Sequence, residues 1–268
     1  MILKNIITST FLYKAYYRYI KNSLVKQQAL REQKLLPIRK IFYQQFVQSG
    51  DVVFDVGANI GNRTEIFLQI GAKVIAIEPQ PDCVKILKKN FGNSIIIEEV
   101  GLSKVEGELE MHIANDTTIS SFSKDFINST KQSRFNHSCW ETTMKIPVTT
   151  MDTLIEKYGI PKFCKIDVEG FELEVLKGLH HPIPYLSFEY CVPEMMKNAL
   201  QCIDYLHQLV PTGKFNYSIG ETMKLALTEW QSYDDILLKV QSKEFISTLF
   251  GDIYFNTINF NLNDHYET

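Results

Sequence analysis

The sequence predicts an α/β fold: an open, mostly parallel sheet with helices on both faces. Three observations carry that expectation. Short apolar runs such as VVFDV and KVIAI are each stopped by a turn residue or an acid. Between them lie segments whose apolar residues recur at helical spacing. The chain, at 268 residues, is long enough for one large domain with a sizeable core.

Taken in order, residues 51–56 form a buried parallel strand ended by Gly57. A helix follows from Asn62, with Ile66, Phe67 and Ile70 inward and Gly71 as its stop. Residues 73–78 are the next strand. Pro81 opens a second helix whose Val84, Leu87 and Phe91 face in while Lys85, Lys88 and Lys89 face out. Residues 94–98 make a third strand and 163–167 a fourth. Phe171, Val175, Leu176 and Leu179 lie on one face of the following helix, and 185–190 is another strand. Met196, Ala199, Ile203, Leu206 and Val210 mark the next helix, and strands near 215–219 and 252–256 complete the sheet.

Residues 117–143 break this rhythm. Eleven of the 27 are Ser or Thr, with Phe122, Phe126, Phe135 and Trp140 scattered among them. Long irregular insertions in compact domains are usually functional or mobile. Hydroxyls mixed with aromatics suit a sugar-like ligand as well as a plain surface loop.

Composition is that of a soluble globular protein, 45% hydrophobic and 22% charged with a net charge of −3. Residues 1–40 nevertheless carry nine Lys or Arg against the single acid Glu32, so the remainder is acidic. Phosphate binding needs clustered positive charge, so the acidic main domain argues against a nucleic-acid partner. Tyr13, Tyr16, Tyr17, Ile20 and Leu24 recur at helical spacing, with Lys14, Arg18 and Lys21 on another face. Such a helix can lie on an anionic membrane, but packing against the domain is the expectation preferred here. No run approaches the length of a membrane span. Five cysteines without CxxC or zinc spacing read as free thiols in a reducing, cytoplasmic setting. The chain therefore reads as a basic helical extension, 1–40, followed by one domain, 41–268.

The chemistry is expected at the segment DVGANIGN, directly after the first strand, where Asp55, Gly57, Asn59 and Gly61 fall. Small residues let the backbone turn tightly and approach a ligand, and the next helix offers free N–H groups. A dinucleotide fingerprint would need glycine at 59 and 62, where both residues are Asn. Glu78 ends the second strand, where a carboxylate can accept from both hydroxyls of a ribose. A nucleoside bearing a carboxylate rather than a pyrophosphate is expected, and S-adenosylmethionine fits.

The phrases FDVGANIGN, IEPQP, VGLSKVEGELEMHIA and CKIDVEGFELEVLKG resemble the FkbM-type family of class I S-adenosylmethionine-dependent methyltransferases. The similarity covers roughly residues 40–260 and leaves the first forty outside. The resemblance implies a Rossmann-like, seven-stranded sheet with its last strand antiparallel, and usually O-methylation of a hydroxyl. It further implies that Gly57, Asn59 and Gly61 line the methionine end of the cofactor. Glu78 would then hold the ribose, with Gly101 and Leu102 near adenine. The acceptor does not transfer with the resemblance.

A hydroxyl acceptor benefits from a base. Asp167 and Glu169 stand at the carboxyl end of a central strand, and Glu189 could face the same cleft. Asp167 could instead cap the helix that follows, and Glu169 could serve that helix's dipole. No metal set is evident. The expectation is an O-methyltransferase acting on a sugar, glycan or other polyhydroxylated metabolite. The alternatives are a methyltransferase-like scaffold that keeps cofactor binding, or an N-methyltransferase.

Overall fold

The computed structural model describes residues 35–258. The chain divides into two compact units, residues 1–41 and 42–268. The amphipathic helix expected around residues 13–24 lies outside the described residues.

Ten strands are present among the described residues. They are β1 (Val52–Val56), β2 (Lys73–Ile77), β3 (Ile96–Glu98), β4 (Gly101–Leu102), β5 (Gly107–Ile113), β6 (Thr142–Thr149), β7 (Phe163–Ile166), β8 (Tyr185–Cys191), β9 (Lys214–Tyr217) and β10 (Phe250–Asn256). Seven of them form one sheet in the order β3-β2-β1-β7-β8-β10-β9. The pairs from β3 across to β8 are parallel. The last strand, β10, runs antiparallel to both β8 and β9. This is the Rossmann-like, seven-stranded sheet with an antiparallel last strand that the resemblance implied. The strand order reverses at β1 and β7, so the ligand crevice falls outside their carboxyl ends.

The two faces of the central strands differ because side chains alternate. Phe54, Val56, Cys164, Ile166, Leu186 and Phe188 enter one buried cluster with Leu154, Val175, Leu176, Ile203 and Leu206. Burying side chains of this size contributes about 1.5–3 kcal/mol each, enough to fix register across the sheet. On the opposite face Phe46 stacks on Phe163 at 5.6 Å and on Tyr254 at 5.4 Å. Register puts Asp55 beside Lys165, and Asp252 beside Glu189. That face therefore turns polar toward the strand ends.

Helices α1 (Asn62–Ile70) and α2 (Pro81–Phe91) follow β1 and β2 as expected. Gly71 closes α1 in the left-handed conformation and Pro81 opens α2. Helix α4 (Met151–Tyr158) precedes β7, and the helix after β7, α5 (Glu172–Leu176), is shorter than its apolar stripe suggested. Helix α6 (Met196–Leu209) matches its stripe, with Ala199, Cys202, Ile203 and Leu206 buried.

Two further elements depart from expectation. The strands β4, β5 and β6 make a second sheet in the order β4-β6-β5. Its signal was present as alternation, Leu109, Met111, Ile113 and Met144, Ile146, Val148, which is a strand pattern of period two. The stretch between β5 and β6 is also less irregular than its composition suggests. It holds a 3-10 turn at Thr117–Ile119 and helix α3 (Lys124–Thr130), capped by the Ser123 hydroxyl. Phe126, Ile127, Phe135 and Trp140 join a small apolar cluster with Cys191 and Met195, so this segment folds onto the end of β8.

Candidate active site

Gly57 and Ala58 both donate to the carbonyl of Ile77, which ties the loop after β1 to the end of β2. Gly57 has φ of +80°, and a Cβ there would lie 1.8 Å from the Asp167 carbonyl oxygen. A Cβ on Gly61 would lie 2.3 Å from the Phe91 ring. Both glycines thus let β7 and α2 close against the loop. The sequence suggested close approach of a ligand; the structure gives each glycine a protein neighbour.

Asn59 adopts φ of 49°, a left-handed conformation that Asn tolerates better than most residues. Its N–H donates to Glu78 Oε2 at 2.7 Å, and the Gln80 N–H donates to Glu78 Oε1 at 2.7 Å. Glu78 is buried at the end of β2, and burial raises its pKa to about 7 against the opposing pull of these two bonds. Each of its oxygens keeps a lone pair beyond the bond it already accepts. Asp55 lies deeper: its Oδ2 accepts from the Thr64 hydroxyl of α1 at 2.6 Å, and burial raises its pKa. Its partner in the structure is therefore the helix that follows the loop. Gly101 and Leu102 are buried in β4, with the Phe122 ring where a Cβ on Gly101 would be.

The insertion reaches both halves of this region. The Thr117 carbonyl accepts from the side-chain amides of Asn59 and Gln80 at 3.3 and 3.1 Å. The Ser121 hydroxyl donates to the carbonyl of Glu169 at 2.7 Å.

Across the crevice, Asp167, Glu169 and Glu189 each place a carboxylate oxygen within 4.8 Å of the others. Asp167 does not cap α5, whose N-cap is Phe171 without a side-chain bond. Its Oδ2 instead accepts from Lys165 Nζ at 2.7 Å. Lys165 is buried in β7 and also lies 3.4 Å from Asp252 on β10. Burial opposes its charge, yet Asp167 and Asp252 more than offset this and raise its pKa. Glu169, the residue after Val168, has φ of 54°. Loss of water around Glu169 and Glu189 raises both pKa values well above the usual carboxylate range, and the charge of Asp167 adds to the shift. Like charges this close disfavour full ionisation of the cluster. Three oxygens at this spacing are also within reach of a bridging hard cation. A cavity beside them is lined by Glu189, Glu172, Asn198 and Met195.

Residues 55–241 match the Methyltransferase FkbM domain. The chain belongs to that family. Among curated proteins it is 32% identical over 146 residues to the hexuronic acid methyltransferase AglP of Haloferax volcanii. The match covers 53% of this chain and 55% of that protein, about half the length of the relative. Among solved structures it is similar to a precorrin-6y C5,15-methyltransferase from Geobacter metallireducens, with a TM-score of 0.43 at 8% identity, covering 81% of this chain and 87% of that one. A TehB-like methyltransferase from Corynebacterium glutamicum gives 0.41 at 9%, covering 87% and 97%.

The FkbM-type motif at 166–178 thus contributes Asp167 and Glu169, and β8 contributes Glu189, to one cluster. Gly57, Asn59, Gly61 and Glu78 form the facing loop. Sequence reasoning did not single out Lys165, Ser121 or Glu172. A lysine inside an otherwise apolar strand, FCKI, was the available signal for the first.

Proposed function

We propose that this chain transfers a methyl group from S-adenosylmethionine to a hydroxyl of a sugar or related polyhydroxylated acceptor. The carboxylate cluster carries this reading, because a hydroxyl must lose a proton as its oxygen is methylated. The chain's features fit the donor: Glu78 retains acceptor capacity for ribose hydroxyls at the end of β2. The first turn of α1 offers backbone N–H groups to a carboxylate. Gly57, Asn59 and Gly61 would shape the methionine end, with Asp55 bracing that loop from behind. Gly101 and Leu102 would back the adenine side.

When bound, S-adenosylmethionine supplies an electrophilic methyl on a sulfonium, so the protein's own task is positioning and proton removal. Glu169 and Glu189, with their raised proton affinity, suit acceptance of the hydroxyl proton. Asp167, held by Lys165, orients the acceptor. The sugar acceptor is supported by the name of the curated relative. That name alone favours a second reading, methylation of a uronic acid carboxylate. Such a reaction needs no base, and whatever negative charge the cluster carries would repel an acceptor carboxylate.

The test is incubation of the protein with S-adenosylmethionine and separate methyl hexosides, amino sugars and hexuronates, followed by mass spectrometry. The expected product is a base-stable methyl ether with stoichiometric S-adenosylhomocysteine. A base-labile ester on hexuronate alone would favour the second reading. Cofactor binding without transfer to any member of a broad panel would favour a scaffold.

A further inference from the structure

Glu169 is a non-glycine residue in the left-handed region, followed by Gly170 at φ of +84°. Residues held in such conformations persist only where their surroundings over-determine them, and they cluster at active sites. Three contacts hold this turn, in addition to the Asn198 side-chain amide, which donates to the Gly170 carbonyl at 3.4 Å. Glu172 Oε1 accepts from the Gly170 N–H at 3.0 Å and from the Val168 N–H at 3.3 Å, so one oxygen grips the amides on either side of Glu169. The Ser121 hydroxyl donates to the Glu169 carbonyl. Phe126 of α3 fills the space where a Cβ on Gly170 would be, 2.5 Å away.

Glu172 is itself 2% exposed. Neither of its hydrogen bonds comes from a cationic side chain. A buried carboxylate without a cation is an expensive way to start a helix, and a neutral side chain would begin α5 as well. What a carboxylate adds is one strong acceptor for two backbone donors at once.

We infer that Glu172 is a positioning residue for the methyl-transfer reaction: it builds the left-handed turn that aims Glu169 at the acceptor, with Ser121 of the insertion as the second clamp. This deepens the reading under which Glu169 takes the acceptor proton, and it rests on that reading. It also gives the insertion a part in catalysis. Segment 117–123 touches the cofactor-side residues Asn59 and Gln80 at one end and the Glu169 turn at the other.

The experiment compares Glu172→Met, which keeps volume and removes the acceptor, with Glu172→Gln, which keeps an acceptor oxygen. Both are made in the full chain saturated with S-adenosylhomocysteine. Hydrogen exchange at Val168 and Gly170 is expected to accelerate about tenfold or more in the Met variant, with β1 and β8 amides, melting temperature and cofactor affinity close to wild type. The Gln variant should retain the protection. With the sugar methylated fastest in the panel above, Glu172→Met should lower kcat roughly 10–100-fold with little change in KM for the cofactor. In a Glu169→Gln background the same substitution should cost nothing further.

Unchanged exchange in Glu172→Met would overturn the inference, as would an equal loss of kcat in both backgrounds. Full turnover by Glu169→Gln would overturn it too, while leaving sugar methylation intact. If no sugar is turned over, the functional reading fails. The exchange arm then still decides whether Glu172 holds the turn.

Discussion

Replacing Gly57 by Ala separates two accounts of the loop after β1. The added Cβ would stand 1.8 Å from the Asp167 carbonyl, where real Cβ contacts are not found below 3.0 Å. The carbonyl must therefore move by at least the difference, 1.2 Å. That shift loosens the bond from the Asp167 N–H to Val56 O, now 2.9 Å, which joins β1 to β7. Forcing a side chain to φ of +80° costs about 1–2 kcal/mol, the weakened hydrogen bond about 1 kcal/mol, and the overpacking about 1–3 kcal/mol. A total of about 3–6 kcal/mol corresponds to a melting temperature lower by roughly 10–15 °C in a domain of this size. Gly159→Ala is the control, since its φ is +84° with nothing within 4 Å; only backbone strain, about 1–3 kcal/mol at its φ of 84° and ψ of 168°, should be seen there. Thermal and urea unfolding of the apoprotein measure both. If Gly57→Ala melts with the wild type and only S-adenosylhomocysteine binding falls, the glycine serves the ligand and the packing argument is wrong.

Further outcomes follow from the charges. Glu78 and Glu172 both have pKa values raised to about 7, so the folded state binds protons more tightly than the unfolded chain. Their contribution should decline as pH rises from about 4.5 to about 7 and then level off, by an amount on the order of 3 kcal/mol each at most. Urea unfolding at several pH values should show a shallower decline in Glu78→Gln, and a steeper one would contradict the assignment. Lys165→Met removes the cation held between Asp167 and the buried Asp252. It should cost about 3–5 kcal/mol, read by the same unfolding assay; a loss under about 1 kcal/mol would show that the pair is not held by Lys165. Chelation by EDTA should leave kcat unchanged if the cluster handles a proton. Recovery of activity only on adding Mg²⁺ would make Asp167, Glu169 and Glu189 metal ligands instead.

The sequence determined the main sheet and the place of its crevice. Runs such as VVFDV and KVIAI are mostly apolar and read as interior strands, and the glycines after β1 announce a tight turn into a helix. The same local reading located Glu78, Asp167, Glu169 and Glu189, because each stands in or at the end of a strand. It passed over β5 and β6, whose alternating pattern is weaker than a continuous apolar run, and it took the segment between them for an irregular loop because Ser and Thr outnumber its aromatics. Other features had no local signal. That Gly57 makes room for the Asp167 carbonyl, that Lys165 serves one acid just after β7 and another on β10, and that Ser121 reaches the Glu169 turn 48 residues away depend on strands adjacent in space but distant in sequence. A side chain's composition and spacing reveal which element it belongs to. Its hydrogen-bond partner, and the proton affinity that follows from burial beside other acids, exist only once the sheet has brought those elements together.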